Sequence, residues 1–348
     1  MKAGGTLTAL IEGAGFKLHW FDLGRRLQAL PGPAAEAFEA GQASWPYPYL
    51  RQAWTGLLLQ PAEGGEAVVW FLRFPLDEQG KLQLAVRDNL LHALAQGLKC
   101  GMRCEAAQQL DQVLKRSGLL YTPSMERRAA FHARTGMLLK RPASAHYGPV
   151  LDYIRKPDTH HWDTLALQGI ADLAVRWKTE KALLLPQISR IAHPVFIHLC
   201  ACLENEMIDQ PLAETVKARA ESILHSDTIP DVAMICAAVR ACSHSPAKGL
   251  RHAFLLKLLQ YPSTAQNVQL LTTLGSCCTT DLENPELARL WLNALANTED
   301  QGAFNRLLSD LLFVPQVRAS LLMVLRDPGQ IEILAQAFGR FLHGPTLP

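Results

Sequence analysis

The stretch SPAKGLRHAFLLKLLQYP, residues 245–262, decides the fold class that the sequence predicts. Apolar residues recur there at spacings of three and four positions, the pattern of a helix with one buried face. These residues are Leu250, Phe254, Leu255 and Leu258. Proline is tolerated in the first turn of a helix and disfavoured in its interior. We therefore predict that one helix begins near Pro246, after Ser245, and that the next begins near Pro262.

The same arrangement recurs along the second half of the chain. Successive prolines are separated by 17, 19, 16 and 16 residues, at Pro194, Pro211, Pro230, Pro246 and Pro262. Asn284-Pro285-Glu286 has asparagine in the capping position, and Thr122-Pro123 resembles it. Pairs of such helices form units of about 33–38 residues, the size of HEAT- or TPR-type repeats, although TPR and ankyrin signatures are absent. The pattern predicts an irregular α-helical repeat solenoid.

The first hundred residues have a different pattern. FKLHWFDL (16–23) alternates apolar and polar residues, and AVVWFLRF (67–74) is rich in β-branched and aromatic residues. With PLDEQG and KLQLAV (81–86) following, they predict an antiparallel hairpin, and QAWTGLLLQ (52–60) is a further candidate strand. We expect short helices at Ala34–Ala40 and from Asp88, as N-cap, to Lys99.

These patterns predict a mainly α protein with a small N-terminal α+β domain that contains an antiparallel sheet. We assign residues 1–100 to that domain, 101–141 to a basic helical connector and 142–348 to the α-helical repeat domain. A chain of 348 residues with 49% hydrophobic residues is large enough for two domains and is not expected to be disordered.

Composition excludes several classes of protein. The net charge of +2 is too small for a binder that is polybasic throughout. The N-terminus lacks the apolar region of a signal peptide, and no run of 18 mainly apolar residues occurs. We expect a cytoplasmic protein that does not insert into membranes. The eight cysteines form no C-x-x-C pair, so we interpret them as reduced, buried thiols.

Basic residues are concentrated in one segment. Residues 97–141 contain nine lysines and arginines against three acidic residues: Lys99, Arg103, Lys115, Arg116, Arg127, Arg128, Arg134, Lys140 and Arg141. Arg127, Arg128 and Arg134 fall on a predicted helix that starts near Thr122. They could bind phosphates or an acidic partner, with strong salt dependence. We favour the alternative that they pair with acidic residues elsewhere in the chain or are solvated.

Aromatic residues are concentrated in SWPYPYLRQAW (44–54), where alternating prolines favour an extended backbone. Trp45, Tyr47, Tyr49 and Trp54 form either a contact surface for a partner or a lid that packs across the small sheet. We favour the lid.

KPDTHHWDTL (156–165) has the strongest resemblance to a catalytic or metal site. A metal would need ligands beyond His160 and Asp163, and spacing supplies none. We therefore predict a helix over 159–177, capped by Asp158 or Thr159, in which His160 and Asp163 hydrogen-bond to each other.

No nucleophile elbow, metalloprotease, phosphate-loop or dinucleotide-binding motif occurs in the chain. His193, His198, Cys200 and Cys202 lie in or beside an apolar run and are interpreted as core residues. The sequence predicts no cofactor and favours a protein that is not an enzyme.

Four motifs, TLTALIEGAG (6–15), FDLGRR (21–26), PYPYLRQAW (46–54) and VWFLRFPLDEQG (69–80), resemble a bacterial family known as domain of unknown function 3549. The resemblance implies a bacterial, mainly gammaproteobacterial, origin and extends over nearly the whole chain. Arg25, Arg26, Tyr47 and Trp54 lie in these motifs, but the family implies no activity, cofactor or catalytic residue.

The leading hypothesis is an interaction or scaffold protein that binds a macromolecular partner, most simply a protein, through a helical-repeat surface. One alternative is a binder of nucleic acid or another anionic ligand through residues 99–141. A third is a metal-assisted enzyme at His160 and Asp163.

Overall fold

The computed structural model describes residues 5–99, 112, 114–159, 161–224 and 231–344. The chain is mainly helical and forms two compact units, residues 1–124 and 125–348. The boundary between these units lies inside the predicted connector 101–141. The three-part division drawn from composition stays a prediction.

The first unit contains the small antiparallel sheet that the sequence predicts. Its strands run in the order β2-β1-β3-β4, and every neighbouring pair is antiparallel. The elements in chain order are α1 (Leu7–Gly13), β1 (Phe16–Asp22), β2 (Gln28–Leu30), α2 (Gly32–Glu39), β3 (Gln52–Pro61), β4 (Val68–Pro75) and α3 (Leu84–Lys99).

One face of the sheet forms the core of this unit. Trp20, Leu57 and Trp70 lie side by side across β1, β3 and β4, and all three are buried. Helices α1 and α2 pack against β1, and α1 also packs against α3. Residues at alternate positions of the strands therefore lie on the opposite face, where the candidate site described below is located.

The predicted strand at 81–86 is wrong. Leu76 and Leu82 form a single isolated bridge, after which α3 begins at Leu84. Asp88 consequently lies inside the helix and caps nothing. Val86, Leu90 and Leu94 recur every four positions, and the last two are buried, so burial of a helical face outweighs the short β-like pattern.

The second unit is built from helices joined by short links. In chain order they are α4 (Met125–Leu138), α5 (Tyr147–Arg155), α6 (Leu167–Val175), α7 (Trp177–Gln187), α8 (His193–Leu203), α9 (Gln210–Leu224), α10 (Val232–Cys242), α11 (Lys248–Gln260), α12 (Pro262–Ala265), α13 (Val268–Cys277), α14 (Pro285–Asn297), α15 (Gln301–Leu312), α16 (Pro315–Leu325) and α17 (Glu332–His343).

Alternate helices of this unit contact one another. One series of contacts runs through α4, α6, α8, α10, α13 and α15, and a second runs through α5, α7, α9, α11, α14 and α16. A single apolar core lies between the helices, with Phe196, Phe254 and Trp291 among its largest fully buried side chains.

Several helix starts confirm the capping pattern read from the sequence. Asn284 Oδ1 accepts hydrogen bonds from the backbone N–H groups of Glu286 and Leu287, with Pro285 as the first residue of α14. Pro262 begins α12, and Pro194 lies in the first turn of α8. Pro230 lies outside the described residues.

The single helix predicted over 159–177 is wrong. Trp162–Thr164 forms one turn of 3-10 helix, α6 begins only at Leu167, and Arg176 separates α6 from α7. Trp162 is 44% exposed, so the apolar stripe that predicted one helix is not buried at its first position. No helix among the described residues is both long and apolar enough to cross a bilayer.

Candidate functional site

The candidate site begins at a tight turn between residues 49 and 52. Tyr49 and Gln52 exchange two backbone hydrogen bonds of 3.1 Å, and the two residues between them both have positive φ, 51° for Leu50 and 56° for Arg51. Type I′ turns require positive φ at both positions, which side chains larger than glycine or asparagine rarely adopt. Such strain persists only where the surrounding structure stabilises it, and it is common at functional sites.

Beside this turn, arginine and aromatic side chains stack in alternation. The guanidinium of Arg25 lies over the ring of Tyr49, with 5.4 Å from Cζ to the ring centroid, and that of Arg73 lies over Trp54 at 5.8 Å. The Tyr49 and Trp54 centroids are 6.4 Å apart, and Tyr121 packs edge-on to Trp54 at 4.8 Å. We call these five residues the arginine–aromatic ladder.

Hydrogen bonds hold the ladder in place. Trp54 Nε1 donates to the carbonyl of Tyr49 at 2.9 Å, and Arg25 Nε donates to that of Pro48 at 3.0 Å. Each bond ties a ladder side chain to the backbone of the extended 46–54 stretch, so the Trp54 ring and the Arg25 guanidinium have defined positions before any partner binds.

Backbone pairing along the edge of β4 positions Tyr121, the fifth residue of the ladder. The N–H of Arg73 donates to the carbonyl of Leu119 at 2.8 Å, and the N–H of Tyr121 donates to that of Phe71 at 3.2 Å. Residues 119–121 therefore extend the sheet beyond β4, and this places the Tyr121 ring against Trp54.

Gly24 lies directly behind the ladder. A Cβ atom on this residue would be 3.1 Å from Tyr49 Cβ, which is tighter than ordinary van der Waals contact, and 3.4 Å from Trp54 Cδ1. The glycine of the FDLGRR motif therefore favours close packing of Tyr49 in the ladder.

The structure brings together three of the six residues predicted from the N-terminal motifs: Arg25, Tyr49 and Trp54. Arg26 and Tyr47 are half-buried. Trp45 is only 2% exposed, packs edge-on to Phe38 and donates to Asp22 Oδ1 at 3.2 Å. Trp45 therefore belongs to the core, whereas Tyr49 and Trp54 are partly exposed.

Two ladder residues were missed by sequence reasoning. Arg73 could have been found, because it pairs directly with Trp54 in the β3–β4 register and so lies on the same face of the sheet. Tyr121 gave no signal, since 119–121 is too short to show a strand pattern.

The predicted anion-binding arginines of α4 lie in the second unit, where two of them pair with acidic residues. Arg127 contacts Glu204 at 3.3 Å, and Arg134 contacts Glu206 at 2.5 Å. Arg128 lies on the exposed side of the helix. The positive charge of Arg127 is thus balanced within the unit, and that of Arg134 is balanced when Glu206 is ionised.

Glu204 is the centre of a buried ionic cluster. Its side chain is 2% exposed and contacts Arg240 at 3.2 Å in addition to Arg127, and the Cys277 thiol lies 3.4 Å from its Oε1. Burial, together with the neighbouring carboxylate, raises the pKa of Cys277 to about 12. A thiol with this pKa stays protonated near neutral pH, which disfavours a role as a nucleophile.

The other described cysteines are also buried, as the sequence predicts: Cys200, Cys202, Cys236, Cys242 and Cys278. Burial raises the pKa of Cys242 to about 12 as well. Cys100 and Cys104 lie outside the described residues.

Only one of the two candidate metal ligands, Asp163, lies among the described residues. His160 lies outside the described residues, and Asp163 is an exposed residue of the 3-10 turn. In the part of the chain that the structure describes, no group of three or more His, Cys, Asp and Glu side chains is placed to hold a metal ion.

The fold and this site define a mainly helical protein of two units, the first of which carries a partly exposed arginine–aromatic surface on a small antiparallel sheet. The chain belongs to the family described as protein of unknown function (DUF3549), which matches residues 4–342. Neither a curated protein nor a solved structure matches it.

Proposed function

We propose that this chain is an interaction protein that binds another protein through the arginine–aromatic ladder, with the helical unit as its scaffold. The ladder carries this proposal. Tryptophan, tyrosine and arginine are the residues that contribute most to binding energy at protein interfaces. Here they pack against one another and are partly exposed, and hydrogen bonds fix Trp54 and Arg25, so the ladder would lose less side-chain entropy on binding than freely rotating residues would.

The strained turn supports the same function. Leu50 is 50% exposed, and Arg51 beside it is also exposed. A large apolar side chain that is half-exposed at the tip of a turn with unfavourable φ would fill an apolar pocket on a partner.

For the second unit we propose an irregular helical-repeat scaffold of the HEAT or TPR type. The support is the alternation of contacts, in which α4, α6, α8 and α10 follow one another in one series while α5, α7, α9 and α11 form another. Stacked helix pairs make extended surfaces suited to holding a macromolecule. We place the protein in the bacterial cytoplasm.

Nucleic-acid binding through residues 99–141 is the less favoured function. Phosphate binding depends on cations that can replace counterions. Arg127 and Arg134 are paired with Glu204 and Glu206, so only part of the predicted positive charge could serve this purpose.

Site-specific photocrosslinking in the native cells tests the proposal. A photoreactive amino acid at position 50 should give discrete adducts that protease removes and nuclease leaves intact. The adducts should disappear when Trp54→Ala is added. The same amino acid at position 326, an exposed arginine of the second unit, is the control and should not reproduce these adducts.

If nuclease removes the adducts, the crosslinked partner is a nucleic acid, and the proposal of protein binding is wrong. A pattern at position 50 that is the same with and without Trp54→Ala, or the same as at position 326, would contradict binding through the ladder.

A further inference from the structure

We propose that the arginine–aromatic ladder recognises an extended, acidic segment of the partner, with a carboxylate side chain bound by the guanidinium group of Arg73. This inference rests on the proposed function and specifies the chemistry of the partner.

The contact between an arginine and an aromatic ring determines which donors of the guanidinium group remain available to a partner. A guanidinium that lies over an aromatic ring uses its flat face for that contact, while its N–H donors point outward along its edge. This edge matches the two oxygens of a carboxylate, which can accept two parallel hydrogen bonds. Arg73 is exposed, and its Cζ lies 5.8 Å from the centroid of the Trp54 ring, so its donors are accessible to such a carboxylate.

Charge balance distinguishes Arg73 from the arginines of α4. Arg127 and Arg134 each contact a glutamate of their own unit. For Arg73, by contrast, no carboxylate of the described residues lies within ion-pair distance, and its recorded side-chain contact is with Trp54. A positively charged group that is held in place without a counter-charge favours an acidic ligand.

The spacing of the rings fits an extended peptide. Alternate side chains of a β-strand project from the same side at intervals of about 6.6 Å, twice the rise per residue. The Tyr49 and Trp54 centroids are 6.4 Å apart, and the two arginines stack on these rings. Alternate side chains of a strand would therefore meet Tyr49 and Trp54 in turn, and an acidic one at the second position would lie beside Arg73.

The same geometry disfavours single-stranded nucleic acid. Such ligands bind through bases that stack on open aromatic faces. Here Arg73 lies over the face of Trp54, Tyr121 packs edge-on at 4.8 Å, and Arg25 lies over Tyr49. On each of these two rings, the face that the guanidinium group covers is closed to a base, which leaves less open aromatic surface for stacking.

Fluorescence anisotropy with the purified full chain tests this inference. The probe is a labelled peptide with aspartate at alternate positions, and its control has asparagine at the same positions. Labelled oligothymidine of matched length is the third probe. We expect the aspartate peptide to bind more tightly than both, with an affinity that falls as salt is added.

Variants of Arg73 locate the binding site. Arg73→Gln should weaken binding of the aspartate peptide about tenfold, the effect of losing a charge-assisted hydrogen bond. Arg73→Lys keeps the charge but not the forked donors, and should also weaken it. Arg326→Gln removes an equally exposed arginine from the second unit and should have no effect. Because Arg73 is exposed, unchanged thermal unfolding of Arg73→Gln serves as the folding control.

Three results would overturn the inference: equal binding of the aspartate and asparagine peptides, equal behaviour of Arg73→Gln and Arg326→Gln, or tighter binding of oligothymidine. The crosslinking experiment separates this failure from that of the proposed function. Protein adducts at position 50 that depend on Trp54 would leave the ladder as an interaction site for a partner that is not acidic.

Discussion

Arg73 and Trp54 are directly opposite each other in the β3–β4 register, and the guanidinium of Arg73 lies over the Trp54 ring. The stack therefore follows from strand pairing, since side chains of directly opposed residues project from the same face of a sheet. A shift of one residue in this register would move Arg73 to the other face and remove the ladder.

Trp54 contributes to stability through two separable interactions. Trp54→Phe keeps an aromatic ring but loses the bond to the Tyr49 carbonyl, and should lower the free energy of unfolding by about 1 kcal/mol. Trp54→Ala also removes the stacking and should cost about 2–3 kcal/mol. Denaturant unfolding measures both. Trp162→Ala, at a tryptophan that is 44% exposed, is the control and should change stability by less than about 0.5 kcal/mol.

Replacing Leu50 and Arg51 in the strained turn should raise the free energy of unfolding and weaken binding of the partner. Replacing the pair by Asn-Gly (Leu50→Asn with Arg51→Gly) removes the cost of positive φ and should raise the free energy of unfolding by about 1–2 kcal/mol. Thermal unfolding checks the gain, and the acidic-peptide assay checks binding. A loss of stability would mean that contacts of the two side chains outweigh backbone strain.

Glu204 should be essential for the stability of the second unit. Glu204→Gln leaves Arg127 and Arg240 beside a neutral group in a buried position and should cost about 3–5 kcal/mol in denaturant unfolding. The control is Asp152→Asn, which breaks the ion pair between Asp152 and Arg155. The side chain of Asp152 is 60% exposed and that of Arg155 is 54% exposed, so this variant should cost no more than about 1 kcal/mol. Similar costs for the two variants would contradict this prediction.

Glu206 should make stability depend on pH. Burial raises its pKa to about 7 from the ordinary 4.5, against the opposing effect of Arg134. Between these values the folded state retains a proton that the unfolded state loses, so stability falls as pH rises from about 4.5 to about 7 and changes no further above. The loss should amount to about 3 kcal/mol at most.

Comparison with Glu206→Gln isolates this effect from the other titrating groups. The stability difference between the wild-type chain and the variant should favour the wild type more strongly at pH 5 than at pH 8. A difference that is constant between these two pH values would show that Glu206 titrates at its ordinary pKa.

Gly169 should tolerate no side chain. A Cβ atom there would lie 2.3 Å from the carbonyl oxygen of His146, so Gly169→Ala must displace backbone and should cost at least about 2 kcal/mol. Gly339 lies inside α17 with nothing within 4 Å of the corresponding position. Gly339→Ala should therefore stabilise the protein by about 0.5–1 kcal/mol, the helix propensity difference, in the same unfolding assay.

Local patterns predicted the elements where burial and chain chemistry agreed. The strand from Gln52 to Pro61 and the start of α14 at Asn284-Pro285 are examples. The predictions failed where a local pattern was compatible with two structures. KLQLAV alternates like a strand, but residues 84–86 begin a helix because Leu90 and Leu94 continue a buried helical face.

The candidate site was predictable to the extent that its residues are neighbours in the sequence. The 46–54 motif identified Tyr49 and Trp54 as unusual. It could not identify Tyr121, which reaches Trp54 only because 119–121 pairs with the edge of β4. Whether these residues bind a partner stays a prediction.

The sequence by itself determined the mainly helical composition, the small N-terminal sheet and several helix starts, because these depend on residue spacing, capping and proline geometry within a few positions. Only the tertiary structure decided which charges are balanced and which are available. Arg127 and Glu204 are 77 residues apart, and nothing local marks them as partners. Arg73, by contrast, lies beside a tryptophan, with no carboxylate of the described part of the chain within ion-pair distance. Ion pairing acts over a few ångströms of space, so the fold must form before the chain's charges acquire their partners.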